Sequence, residues 1–124
     1  PYKDVAHHIA DADFTILLRP NQRYAHAGFP TKVGESLACG TPVIANLSSD
    51  LKNYLVDGEN SLICQDGSVE SCLVALRRAI ELPQEALHRM REKAYITAKT
   101  SFDYHVYVTK MKDFLRICNG TITA

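Results

Sequence analysis

The sequence predicts an α/β fold, a parallel three-stranded sheet flanked by helices. Three short apolar runs carry this expectation: Phe14–Leu18, Pro42–Ala45 and Ser61–Cys64. Each is too short for a helix, and each reads as a buried strand. Helical patterns separate and follow the three runs. Strands alternating with helices pair in parallel through right-handed crossovers. A chain of 124 residues suffices for one domain with a modest core.

The elements follow in order. A helix is expected over residues 3–11, with Val5, Ala6, Ile9 and Ala10 on one face. The first strand is followed by a long polar loop over residues 19–30. A short helix over 31–39 comes next. Pro30 suits its first position, where a missing N–H costs nothing. Gly40 suits the left-handed residue just past its end, and Pro42 forbids continuation. After the second strand, Ser49 is the expected cap of a helix through Leu51, Tyr54 and Leu55, ended by Asp57-Gly58. Beyond the third strand, Ser68 caps a helix whose Val69, Cys72, Leu73, Leu76 and Ile80 recur at helical spacing. Pro83 opens a longer helix to about residue 100. Asp103 caps the last helix, whose apolar face is Tyr107, Met111, Phe114, Leu115 and Cys118.

Composition excludes several functions. Fourteen basic and fourteen acidic residues cancel, so no net field draws the chain to nucleic acid. No apolar run is long enough to span a membrane, and no signal-peptide pattern appears. Cys39, Cys64, Cys72 and Cys118 lack C-x-x-C spacing and fall where the pattern reads as buried. They are expected to be reduced core thiols of a cytoplasmic protein. His7, His8, His26, His88 and His105 show no ligand spacing, so neither a metal nor a cofactor is expected.

Parallel sheets bind ligands at the carboxyl ends of their strands. The 19–30 loop leaves the end of the first strand, and the helix at residue 31 begins there. The free N–H groups of a first helical turn form an anion site. Glu35 follows about one turn later, placed to accept two hydroxyl protons, as from a ribose. Phosphate donors beside a diol acceptor point to a nucleotide ligand. Arg19 and Arg23 flank this site, and guanidinium groups bind phosphate well. Lys32 in the first turn is unfavourable by about a few tenths of a kcal/mol unless an anion is present. Gly28 lets a ligand approach the backbone closely. Blander readings stand beside these: solvated loop arginines, an exposed His26, Phe29 as a packing residue, and a Lys32–Glu35 ion pair at i,i+3.

The stretch Gly28-Phe29-Pro30-Thr31-Lys32-Val33-Gly34-Glu35-Ser36-Leu37-Ala38-Cys39-Gly40-Thr41-Pro42-Val43-Ile44-Ala45 carries a resemblance. It resembles the donor-site signature of retaining, two-domain glycosyltransferases of the GT-B fold, of the group 1 type. That signature pairs two Glu residues across seven others, ahead of a small-residue turn and a Pro-Val-Ile-Ala-like strand. Glu35 matches the second Glu, and Ala27 stands where the first would be. Pro30, Thr31, Lys32 and Glu35 fit the Pro-x-Lys-x-x-Glu variant, and the element order fits from residue 2 to residue 118.

The resemblance implies that residues 1–124 form a single partial domain, half of a Rossmann-like GT-B donor domain, with residues 83–118 as its carboxyl-terminal helices. Such a domain has about six parallel strands, and the match begins just before the fourth. The absent half would supply a Gly-rich loop and a basic pair for the diphosphate, and an absent amino-terminal domain the acceptor site. The start at Pro1 without Met fits a cut or processed chain, inactive alone. The implied partner is a UDP- or GDP-sugar, used without metal and with retention of configuration. The implied contacts are Gly28, the Phe29 backbone, Pro30, Thr31, Lys32 and Glu35, with Arg19 and Arg23 beside them. The first Glu of the pair contacts the transferred sugar, which Ala27 cannot do. The implied role is bacterial surface polysaccharide synthesis, at the inner face of the membrane. An edge strand left open at 14–18, or the apolar stripe of the 104–118 helix, would drive self-association. Two other classes remain open at this point: a non-catalytic nucleotide- or phosphate-binding module, and a flavodoxin-like interaction domain with no ligand.

Overall fold

A computed structural model describes residues 4–120. The elements are α1 (Val5–Asp11), β1 (Thr15–Leu17), α2 (Arg23–His26), α3 (Thr31–Ala38), β2 (Val43–Asn46), a 3-10 turn (Leu51–Asn53), β3 (Ser61–Cys64), α4 (Val69–Glu81), α5 (Gln84–Ser101), a second 3-10 turn (Tyr104–Tyr107) and α6 (Val108–Gly120). Pro1, Tyr2 and Lys3, where the expected first helix and the resemblance begin, lie outside the described residues. The sheet order is β1-β2-β3, and both pairings are parallel. Thr15 lies opposite Val43, which lies opposite Ser61.

Alternation along the strands splits the core between the two faces. Val43, Ala45 and Ile63 join Val33 and Leu37 of α3, Leu51, Leu55, and Ala94 and Ala98 of α5. Ile44, Leu62 and Cys64 join Ala75 of α4 and Met90 of α5. Helix α5 therefore serves both clusters. All four residues of β2 are buried, as expected of a central parallel strand covered on both faces.

Helix α3, which carries most of the expected site, is tied down at its far end. Gly40 has φ +69°, the left-handed conformation its position requires. Its N–H bonds the Leu37 carbonyl at 2.9 Å, and the Thr41 N–H bonds the Ser36 carbonyl at 3.0 Å. This is a Schellman closure, which satisfies carbonyls the helix leaves open. The fully buried Ser36 hydroxyl donates to the Thr41 carbonyl at 2.8 Å. It must then accept from Thr15 Oγ1, 2.6 Å away, because a hydroxyl carries one proton. Thr41 Oγ1 donates to the Ile9 carbonyl at 2.7 Å. Arg91 of α5 donates to the Ala10 and Ala12 carbonyls at the end of α1.

Several expectations are corrected. The 14–18 run is not buried as its apolar pattern alone would have it: β1 is an edge strand with Ile16 54% exposed, the open edge that the resemblance to half a donor domain implies. Helix α1 buries no side chain, so Val5 and Ala6 lie open. The 19–30 loop contains a helical turn, α2, which Ala25 anchors in the interior. Pro30 is the N-cap of α3 rather than its first residue. Ser49 caps nothing: its φ of +53° is incompatible with the extended cap geometry, and only a 3-10 turn follows. Leu51 and Leu55 are nonetheless buried, as their pattern demands. Ser68 does cap α4, accepting from the Ser71 N–H. The α4 face is rotated, however: Cys72, Ala75, Leu76 and Ala79 meet the sheet, while Val69, Leu73 and Ile80 are exposed. Asp103 caps the second 3-10 turn rather than α6 itself. Helix α6 buries nothing, so its stripe of Met111, Phe114 and Leu115 is open, as the resemblance to a partial domain implies. All four thiols are free, but only Cys64 is fully buried.

The free edge of β3 is blocked by the turn before it. Asp57 accepts from the Ile63 N–H at 2.8 Å, and the Gly58 N–H bonds the Ser61 carbonyl at 2.8 Å. Arg78 holds Asp57 through two hydrogen bonds of 3.0 Å. Partial burial pushes the Asp57 carboxyl up, but the Arg78 and Ile63 hydrogen bonds and the Arg78 charge outweigh it and hold it below the ordinary range.

Candidate functional site

The carboxyl ends of the three strands converge on one side of the sheet. Asn46, the last residue of β2, is buried there. Its Oδ1 accepts from the Arg19 N–H at 2.9 Å, and its Nδ2 donates to the Arg19 carbonyl at 2.8 Å. Gly67, in the loop after β3, packs against the same pair. A Cβ there would lie 3.8 Å from the Arg19 carbonyl oxygen and 4.0 Å from Asn46 Nδ2. One residue before Gly67, Asp66 accepts from the Ser68 N–H at 2.9 Å. Hydrogen bonds from Ser68, side chain and backbone, and from Ser71 hold its carboxyl below the ordinary range against slight desolvation.

The loop after β1 returns to α3 through a second tie. Arg19 Nη1 donates to the Gly28 carbonyl at 2.8 Å. Within the loop, His26 Nε2 and Asn21 Oδ1 are hydrogen-bonded at 2.9 Å, and Arg23 is exposed on α2. Phe29 turns inward. Its ring meets Tyr54 edge-on at 5.5 Å between centroids and Phe102 at 5.5 Å, and those two rings lie 4.8 Å apart. The aromatic cluster fixes the chain one residue before Pro30.

Helix α3 then begins. The Val33 N–H folds back to the Pro30 carbonyl at 3.0 Å. The Thr31 and Lys32 N–H groups have no partner among the described residues. Around Gly28, nothing lies within 4 Å of where a Cβ would stand. Lys32 and Glu35 are exposed and form no ion pair with each other among the described residues. Both line a cleft along the open edge of the sheet. It consists of two adjoining depressions of about 250 and 480 Å³, which share Val5, Ile9, Lys32 and Glu35. Thr15, Ile16 and Leu17 of β1 form part of its wall.

The expected residues thus fall into distinct places. Gly28, Pro30, Thr31 and Lys32 stand together at the carboxyl edge of the sheet, with Glu35 one turn along the same helix. Arg19 is tied to Gly28, and Arg23 stands apart on α2. The Phe29 ring is a packing group. Asn46 and Gly67 were not singled out from the sequence. The one signal for Asn46 is a polar residue ending an otherwise apolar strand. A separate cavity of about 460 Å³ lies between α3 and α5, lined by Gly34, Glu35, Tyr95, Lys99 and Phe102, away from the sheet edge. Among the described residues, no three His, Cys, Asp or Glu side chains are gathered as a metal-ligand set.

Residues 1–97 match the family model of the glycosyl transferases group 1. The chain belongs to that family. Its structure is similar to the sucrose-phosphate synthase of Thermosynechococcus elongatus, with a TM-score of 0.71 over 92% of this chain and 18% sequence identity. At that identity the likeness bears on the fold. The match covers 27% of the synthase chain, so this chain spans about a quarter of that protein's length. No curated protein matches it in sequence. The group 1 assignment and the parallel sheet agree with an α/β, Rossmann-like GT-B architecture. No helix among the described residues is long and apolar enough to cross a membrane.

Proposed function

We propose that this group 1 chain supplies part of a nucleotide-sugar site, and that the protein it belongs to transfers the sugar to a hydroxyl acceptor. One observation carries the reading. The amino end of α3 opens at the carboxyl edge of the sheet with two unpartnered N–H groups, and Lys32 and Glu35 flank the cleft beside it. The Thr31 and Lys32 N–H groups and the Lys32 ammonium bind the donor diphosphate. They stabilise the charge that develops as it leaves, from donors already in place. Glu35 accepts from the two ribose hydroxyls. The open space at Gly28 admits the donor to the backbone. Ala27, exposed at the end of α2, offers no polar group to the sugar, so other residues contact it.

The donor is a UDP- or GDP-sugar, transfer retains configuration without a metal, and the acceptor site lies on a second domain. The setting is surface polysaccharide synthesis in a bacterium, at the cytoplasmic face of its membrane. Steady-state kinetics of the full protein test the donor site. Glu35→Ala should raise the donor KM with a loss of about 1–3 kcal/mol in kcat/KM, the range for a hydrogen bond to a charged group. The acceptor KM should not change. Unaltered donor kinetics would remove Glu35 from the site.

A further inference from the structure

We infer that Asn46 is a positioning residue for the donor site, acting through Arg19 on the Gly28–Lys32 segment. The inference rests on the donor-site reading above. Asn46 cannot touch a ligand itself: it is 7% exposed, and its amide is spent on one neighbour. That neighbour is an unusual one for an Asn to grip. Both amide atoms engage the backbone of Arg19, 27 residues away, at 2.9 and 2.8 Å. The oxygen takes the N–H and the nitrogen takes the carbonyl, so the peptide is held as a ladder partner would hold it.

The grip falls where β1 has ended and its pairing with β2 has stopped. Without it, the chain leaving β1 has no backbone partner at that point. The Arg19 guanidinium then reaches across the loop to the Gly28 carbonyl at 2.8 Å. Two residues later Pro30 caps α3. A strand buried in the sheet is thereby linked through three hydrogen bonds to the backbone that leads into the amino end of α3. Gly67 seals the base of the link by packing on both partners. The arrangement gives Arg19 a task besides any contact with phosphate. It also explains a polar residue at the end of β2, where burial alone would favour an apolar one.

The test uses the full protein. Asn46→Asp keeps shape and the acceptor for the Arg19 N–H, but places a carboxylate oxygen against the Arg19 carbonyl. Hydrogen exchange at the bonded amides of Arg19, Ala25, Ala27 and Val33 should rise tenfold or more, the donor KM should rise about tenfold, and the acceptor KM should stay put. Arg19→Gln, at a half-exposed position, provides the second arm if Asn46→Asp does not fold. It should speed exchange at the bonded amides of Ala27 and Val33, which flank the Gly28–Lys32 segment, and loss of a phosphate contact alone would not do that in the absence of donor. Arg19→Lys should restore part of both effects. Faster exchange with an unchanged donor KM would overturn the positioning role. So would unchanged exchange in both variants. If Lys32→Ala and Glu35→Ala also leave the donor KM unchanged, the donor-site reading itself has failed; if they raise it and Asn46→Asp does not, only the positioning role has.

Discussion

Replacing Ser36 by alanine removes the hydroxyl that seats α3 on the sheet. Two groups lose a partner, the buried Thr41 carbonyl and the half-buried Thr15 hydroxyl. Each orphaned group costs about 1–3 kcal/mol, with Thr15 at the low end because solvent can reach it. Alanine returns about 0.5 kcal/mol through its higher helix propensity. The expected net loss is about 2–3 kcal/mol. Urea denaturation should show it as a lower midpoint with an unchanged slope. Thr15→Val removes one end of the same pair and should cost about 1 kcal/mol alone. The double variant should cost about 1 kcal/mol less than the two singles added, since the shared bond is lost once. A Ser36→Ala loss below about 0.5 kcal/mol, or additive singles, would refute the chain of bonds deduced here.

Other outcomes follow from single features. Gly40→Ala should cost about 1–2 kcal/mol, because φ +69° is strained for alanine, and thermal unfolding will register it. Ser68→Ala should cost about 1 kcal/mol by loss of the α4 cap, with loosening confined to the first turn in hydrogen exchange. Asp57→Asn should destabilise by at most about 1 kcal/mol at neutral pH, since solvent screens a half-exposed pair. The Asp57 carboxyl is held below its ordinary value of 3.8, so its contribution is full above that value and is lost as pH falls through the lowered one. The gap between wild type and Asp57→Asn, followed by denaturation against pH, should therefore close on the acid side. The chain on its own should self-associate through the β1 edge or the α6 stripe, and a monomer in sedimentation at high concentration would speak against this.

Features with a local physical cause were legible in the sequence. The Ser68 cap, the left-handed Gly40 and the run Ser61–Cys64 needed only near neighbours, and they stand where the pattern put them. The position of α3 was readable to within one residue for the same reason. Features decided by distant chain were not. The exposure of β1 depends on what pairs with its outer edge; the apolar pattern of Phe14–Leu18 reads as buried, and only the resemblance to half a domain pointed to an open edge. On α4 two apolar stripes compete, and close approach to the sheet selected the one carrying Ala75 and Ala79 over Val69 and Leu73. Ser49 looked like a cap because its residue type is right, but its backbone turns the other way. At the site, the Gly28–Lys32 segment was visible as a motif. The fixing of that segment was not, because Asn46 is 27 residues from its partner and Arg19 reads equally well as a phosphate ligand.

The donor site can be tested by mapping amide hydrogen exchange of the full protein with and without saturating UDP or GDP. Helix α3 and the loop before it should gain protection, centred on Gly28, Thr31, Lys32 and Glu35, while the α5 residues around Tyr95 and Lys99 stay unchanged. Protection of Tyr95–Phe102 with residues 28–32 silent would place the nucleotide in the cavity between α3 and α5 and contradict the account.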